Sequence, residues 1–400
     1  MADDPWLTIV GIGEDGFDGL SPAGRRAVEA ADVVIGAERH LHVLGEIGAE
    51  CQTWPVPFAD GIDKVLAQRG RAVVMLASGD PFWFGAGSVI ADRLEAGEWR
   101  ALPAVSVFSL AASRLGWPLQ ATACLGLHAA PLTRIRPYIA PQARALVLLR
   151  DGSAVAELAD YLTGENFGAT RMHVMEALGG PRERVRLATC ETFDVGDIAH
   201  PVAVGLVFAG DGSVMPQVGG RPDDWFEHDG QITKRSVRAV TLSTLAPGAG
   251  EHLWDIGAGS GAIGIEWLLA HPRCSAEAVE ADPVRAGRAR ANAERLGVDR
   301  LRVLEGRVPS ALSRLEQQPD AVFIGGGLSD VVLNAIWDKV ETGCRIVANA
   351  VTLESEALVA DWHAQVGGVL QRIELSEVTS IGTRRGWQAS YPIVQWSVTR

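Results

Sequence analysis

Leu253-Trp254-Asp255-Ile256-Gly257-Ala258-Gly259-Ser260-Gly261-Ala262-Ile263-Gly264-Ile265-Glu266-Trp267 decides how this chain is read. An apolar run ends in Asp255, three glycines follow at alternate positions, and a helical pattern takes over. This predicts a strand, a tight turn and a helix N-terminus. Gly257, Gly259 and Gly261 carry no Cβ, so the backbone can turn sharply and approach a ligand. The helix start adds unpaired N–H groups and the positive end of a dipole. Downstream, Ala278-Val279-Glu280-Ala281-Asp282 predicts a second strand whose terminal carboxylate can accept two ribose hydroxyls. NAD and S-adenosylmethionine both carry such a ribose, and the spacing alone decides for neither.

The chain has 400 residues, which predicts two or three domains. Its formal charge is −13, and neither half is basic: residues 1–210 hold 17 basic and 25 acidic side chains, and residues 211–400 hold 19 and 24. That balance argues against a nucleic-acid partner but leaves an anionic small substrate open. Five cysteines, Cys51, Cys124, Cys190, Cys274 and Cys344, stand singly, without metal-ligand spacing. They predict a reducing, cytoplasmic setting and no metal. Met1 to Pro5 contains two acids and no apolar segment follows, so no signal peptide is expected. No apolar run approaches the ~18 residues of a membrane span.

Along the chain, Trp6-Leu7-Thr8-Ile9-Val10-Gly11-Ile12-Gly13 reads as a strand entering a glycine turn. Ser21-Pro22 then starts a helix, with serine as cap and proline at its first position. Residues 71–77 predict a buried strand ending in Ser78-Gly79-Asp80-Pro81, with Phe84 and Gly85 beyond it. Ligands of open α/β sheets bind outside such carboxyl ends. Ser106 and Ser109 open a helix that Gly116 and Pro118 stop. Residues 144–150, 171–176 and 202–208 predict further strands, and His173 reads as a core histidine. Residues 209–231, dense in glycine, proline and acids, read as a linker, with a long functional loop as the alternative. Thr233 reads as the cap of a helix with Lys234, Arg235 and Arg238 on one side. Strands then follow near Arg307-Val308, at 320–327 and at 345–351 with Asn349, and two more close the sheet. Between those two, Thr383-Arg384-Arg385-Gly386-Trp387 reads as a basic loop.

Gly11-x-Gly13, Ser78-Gly79-Asp80-Pro81 with Gly85, Pro103-x-Val105-Ser106 and Arg114-Leu115-Gly116-Trp117-Pro118-Leu119 together resemble the tetrapyrrole (corrin/porphyrin) methyltransferases. The first loop departs from them, with Gly13-Glu14-Asp15-Gly16 where many have Gly-Pro-Gly. The second half is similar to the decarboxylating methyltransferases of the corrin pathway. It carries Asp229-Gly230-Gln231-Ile232-Thr233-Lys234-Arg235, Asp255-x-Gly257-x-Gly259-x-Gly261, Gly325-Gly326-Gly327 and Ala348-Asn349-Ala350.

The resemblance implies an α/β fold: a two-lobed tetrapyrrole methyltransferase domain at 1–210, then a Rossmann-like S-adenosylmethionine methyltransferase domain at 211–400 with a seven-stranded sheet. It implies two S-adenosylmethionine sites per chain. The first is expected at Gly13, Ser78, Gly79, Asp80, Phe84, Ser106 and Ser109. The second is expected at Thr233, Asp255, Gly257, Ala258, Gly259, Ser260, Gly261, Glu280, Arg307 and Val308. Arg307 stands where related chains often have Asp. The implied substrate is precorrin-6Y, an anionic tetrapyrrole, methylated at C5 by the first half. The second half would methylate C15 and remove the C12 acetate carboxylate. Asn349, Arg384 and Arg385, with Arg235 and Arg238, are the candidates for carboxylate handling, since guanidinium groups bind carboxylates in pairs of bonds. A homo-oligomer is expected, a tetramer through the C-terminal domain. An NAD-dependent oxidoreductase built on the glycine turn and a non-catalytic corrinoid carrier are the competing readings.

Overall fold

Short runs of valine, leucine and isoleucine, bounded by glycine turns, make strands covered on both faces, the pattern of a parallel α/β sheet. The computed structural model describes residues 5–400; residues 1–4, on which the signal-peptide argument rests, lie outside them. The chain divides into two compact units. Unit 1 runs to Ala130 and again from Tyr138 to Ser213, and unit 2 takes Pro131–Pro137 and Val214–Arg400. Among the described residues, no helix is long and apolar enough to cross a membrane.

Unit 1 holds two five-stranded sheets. The first contains β1 (Leu7–Ile12), β2 (Val33–Gly36), β3 (Glu50–Thr53), β4 (Val73–Ser78) and β5 (Trp99–Leu102), all parallel, in the order β3-β2-β4-β1-β5. Every residue of β1 is buried. Helix α1 (Pro22–Glu29) starts as the sequence predicts, with Ser21 Oγ accepting from Gly24 N–H at 3.1 Å. Helix α2 (Val107–Leu115) is capped by Ser106, and Gly116 ends it in the left-handed region at φ +63°. The second sheet, β6 (Ala123–Gly126), β7 (Arg144–Leu149), β8 (Arg171–Glu176), β9 (Arg184–Thr189) and β10 (Val202–Val207), has the order β6-β7-β10-β8-β9 and is mostly antiparallel.

Unit 2 is the expected seven-stranded sheet, and the quoted stretch lies at its centre. It comprises β11 (His252–Ile256), β12 (Ser275–Glu280), β13 (Arg302–Glu305), β14 (Ala321–Ile324), β15 (Arg345–Ala350), β16 (Val369–Ile373) and, after a separate hairpin of β17 (Ser376–Ile381) and β18 (Arg384–Ala389), β19 (Ile393–Thr399). The order is β13-β12-β11-β14-β15-β19-β16, with only β19 antiparallel to its neighbours. Around it lie helices α3 (Arg235–Leu245), α4 (Ala262–Ala270) and α5 (Pro283–Arg295).

Three expectations need correction. Of residues 209–231, expected to be a linker, 214–231 are not one: Met215 and Phe226 enter the core of unit 2, and the Gly220 and Arg221 amides donate to Glu266 on α4. Their glycines and prolines shape a strap that two apolar anchors and one carboxylate hold down. Thr233 does not cap α3, because Lys234 occupies that position and no side chain bonds there. Residues 383–387 are not a loop, since Arg384 begins β18.

Candidate functional site

Each unit has a cavity at the carboxyl ends of its parallel strands, where the topology leaves a crevice. In unit 1 it measures about 460 Å³. Gly13, Ser78, Gly79, Asp80, Phe84 and Ser106 line it; Ser109 does not, and instead bonds the Ser106 hydroxyl at 3.0 Å. Gly79 has φ +56°, and a Cβ there would lie 3.1 Å from the Val105 carbonyl oxygen. Asp80 Oδ1 accepts from Phe82 N–H at 2.9 Å, holding the loop in a turn.

The sequence reading missed a polar cluster beside this loop. Arg39 Nη2 donates to Ser78 Oγ at 2.9 Å, and His40 Nε2 lies 2.8 Å from the same oxygen. Glu14, nearly buried, pairs with both Arg39 and Arg182. Burial, and then the Arg39 charge, lower the His40 pKa to about 3, so the ring is neutral. The signal available was position alone, because Arg39 and His40 follow the carboxyl end of β2.

The unit 2 cavity is larger, about 1410 Å³. Thr233, Gly257, Ala258, Gly259, Ser260, Glu280, Arg307, Val308 and Asn349 all line it. Gly257 (φ +70°) must be glycine: a Cβ there would lie 2.6 Å from the Gly326 backbone, so the loops after β11 and β14 interlock. Glu280 is 7% exposed; its Oε2 accepts from Gly259 N–H at 2.7 Å and its Oε1 from Asp282 N–H at 2.9 Å. Two bonds leave part of a carboxylate's capacity for four unused.

Asp255 and Gly261 lie behind the wall. Gly261 (φ +76°) precedes α4. Asp255 is fully buried, its Oδ2 accepts from Gly264 N–H at 2.9 Å, and its Oδ1 has no hydrogen-bond partner among the described residues. Burial, then the Glu280 charge, raise its pKa to about 7.

The structure does not bring the proposed arginines to the cavity. Arg238 is fully buried, bonding Glu266 at 2.7 Å and Asp223 at 3.0 Å. Arg235 Nε donates to the Gly220 carbonyl at 2.8 Å. Arg238 is therefore structural, which corrects its assignment to substrate, while Arg235 is exposed and outside the cavity lining. Arg384 and Arg385 are exposed on β18, outside the lining, although Gln388 and Ala389 of that strand are in it. The cations that do line it are Lys234, Arg285 and Arg307, and Arg285 is paired with Asp229 at 2.8 Å.

Comparison with known proteins gives a consistent result. Residues 6–194 match the family described as Tetrapyrrole (Corrin/Porphyrin) Methylases, and residues 224–400 match that described as Precorrin methyltransferase domain. A precorrin-6Y C(5,15)-methyltransferase [decarboxylating] from Sinorhizobium sp is 48% identical, over 99% of this chain and 97% of its own. Its namesake in Mycobacterium tuberculosis is 36% identical, over 98% of this chain and all of its own. The solved C-terminal domain of precorrin-6Y C5,15-methyltransferase from Rhodobacter capsulatus is 48% identical, with TM-score 0.45, and covers 46% of this chain and 100% of its own.

Proposed function

The chain belongs to the family of decarboxylating precorrin-6Y C5,15-methyltransferases, and from that premise we propose that it methylates precorrin-6Y at C5 and C15 and removes the C12 acetate carboxylate, giving precorrin-8 in cobalamin biosynthesis. Family membership sets aside the oxidoreductase alternative left open by the glycine spacing. The finer reading divides the work between residues 1–210, for C5, and 211–400, for C15 and decarboxylation. Each part would hold its own S-adenosylmethionine.

The observation that carries this reading is the pair of separate cavities, each beside a glycine turn at strand carboxyl ends. The residues fit the cofactor. In unit 2, a Cβ on Gly259 would meet only the Gln231 oxygen, at 3.6 Å, so that turn is open toward a ligand. Glu280 keeps acceptor sites for ribose hydroxyls, and Ser260, Arg307 and Val308 complete the wall. In unit 1, Gly79 brings the backbone close, and Ser78, Ser106 and the Phe84 ring flank it.

S-adenosylmethionine supplies an electrophilic methyl group on its sulfonium. Attack by an electron-rich meso carbon needs placement and exclusion of water more than acid–base help, so the glycine turns and apolar walls perform most of the work. The larger cavity exceeds the usual ~300–1,000 Å³ of small-molecule sites, leaving room for a macrocycle beside a cofactor. The exposed Val378, Ile381 and Trp387 side chains support self-association through the C-terminal domain, for which a tetramer is the proposed state. The five free cysteines support a cytoplasmic setting.

The test is mass spectrometry of precorrin-6Y after incubation with enzyme and cofactor. Gly259→Val forces a branched side chain into the left-handed region at the turn. The expected product has one new methyl and keeps its carboxylate. Substituting Gly79 and Asp80 should remove only the C5 methyl. Decarboxylation surviving in the Gly259→Val protein would refute the division.

A further inference from the structure

Behind the wall of the larger cavity runs a chain of amides and hydroxyls with no charge in it. Asn349 lines the cavity at the end of β15. Its Nδ2 donates to Thr241 Oγ1 at 3.0 Å, and its Oδ1 accepts from Gln395 Nε2 at 2.9 Å. Gln395 is buried on β19 and also donates to Thr241 Oγ1, at 3.1 Å. Its Oε1 accepts from Gln371 Nε2 at 2.9 Å and lies 2.8 Å from Thr244 Oγ1, whose single hydrogen is shared between it and the Val240 carbonyl at 3.0 Å. Thr241, fully buried on α3, donates to the Val237 carbonyl at 2.9 Å.

With the Thr241 hydrogen given to the Val237 carbonyl, the direction of the chain follows. A hydroxyl has one hydrogen, and that of Thr241 goes to Val237, so its oxygen only accepts. Both amides must therefore turn an NH₂ group toward it. Gln395 has two N–H bonds: one reaches Thr241 and the other Asn349 Oδ1. The Asn349 carbonyl is thus taken up by Gln395, and the second N–H of the Asn349 amide has no partner among the described residues.

We propose that Thr241 and Gln395 are positioning residues that hold Asn349 as a neutral N–H donor for the substrate carboxylate that is lost. The inference rests on the assignment of decarboxylation to unit 2. In that step the bond from the acetate methylene to the carboxyl carbon breaks. Its electron pair enters the conjugated ring, carbon dioxide leaves, and the methylene carbon takes a proton from water. Negative charge departs from the carboxylate as the bond breaks. A guanidinium would stabilise the starting carboxylate more than the transition state and slow the reaction. A neutral N–H orients the group with a weaker hold.

The experiment compares Thr241→Val and Thr241→Ser in the full chain, with precorrin-6Y and S-adenosylmethionine, by timed mass spectrometry. Thr241→Ser keeps the hydroxyl and should decarboxylate at the parent rate. Thr241→Val removes the acceptor that holds the Asn349 NH₂ group, and decarboxylation should slow about tenfold, with C5 methylation and S-adenosylhomocysteine affinity unchanged. Asn349→Asp offers only acceptors and should show the same selective loss, which keeps the idea testable if the valine variant fails to fold. Parent-rate decarboxylation in the valine or aspartate variant, or equal loss in valine and serine variants, overturns the proposal. Failure of the underlying assignment would appear separately, as decarboxylation by the Gly259→Val protein.

Discussion

Asp255 carries a carboxyl that the fold prefers uncharged. Burial first, and the Glu280 charge second, lift its pKa from 3.8 to about 7. The folded chain therefore holds this proton more tightly than the unfolded chain. The stability this contributes is complete below pH 3.8 and is lost as pH rises through about 7. Asp255→Asn keeps an oxygen for the Gly264 N–H but has no charge to bury. Its melting temperature should improve relative to the parent between pH 4 and 8; a difference constant with pH would show that Asp255 does not titrate there. The strand, turn and acid that carry this residue, Glu280 and the three glycines were legible because they are local in sequence, but the place of Asp255 and Gly261 behind the cavity wall was not. The Arg39, His40 and Ser78 cluster was not legible, because its partners lie 38 or 39 residues apart and meet only through the pairing of β2 with β4.

The strap before α3 is the element whose role the sequence concealed. Gly220 N–H (2.6 Å), Arg221 N–H (3.0 Å) and Arg238 Nε (2.7 Å) all donate to Glu266, whose side chain is fully buried. Composition suggested a linker, because neither hydropathy nor periodicity reveals a polar segment that borrows a carboxylate from a distant helix. Removing one partner of such a buried pair typically costs about 3–5 kcal/mol. Glu266→Ala should lower the unfolding free energy of unit 2 by about that much in a denaturant titration. A loss below about 1 kcal/mol would mean that the strap is held by Met215 and Phe226 alone. The hairpin was misread for a related reason: β17 and β18 are mostly exposed and lack an alternating apolar face.

At the scale of the whole molecule, the glycine- and proline-rich stretch marks the division approximately, while Pro131–Pro137 belongs to unit 2 despite its place in the first half. Arg134 pairs with Asp299 through two bonds, at 2.7 and 3.0 Å, and the Arg136 guanidinium lies 4.7 Å from the Trp225 ring. A fragment of residues 214–400 keeps the main cores of unit 2 but loses this segment. It should fold and melt below the same unit in the intact chain, by about 2–4 °C for each kcal/mol lost. Equal melting temperatures would mean the segment adds nothing. The fully buried Arg238–Glu266 pair beneath the strap has one more consequence. Dissolved counterions screen charges they can surround, and they cannot surround these. The strap that leads to Thr233 should hold its place in concentrated brine, while an anionic ligand would lose attraction to a cavity lined by Lys234 and Arg307. Ionic strength would then act on the enzyme through the charge of what it binds and leave its scaffold intact.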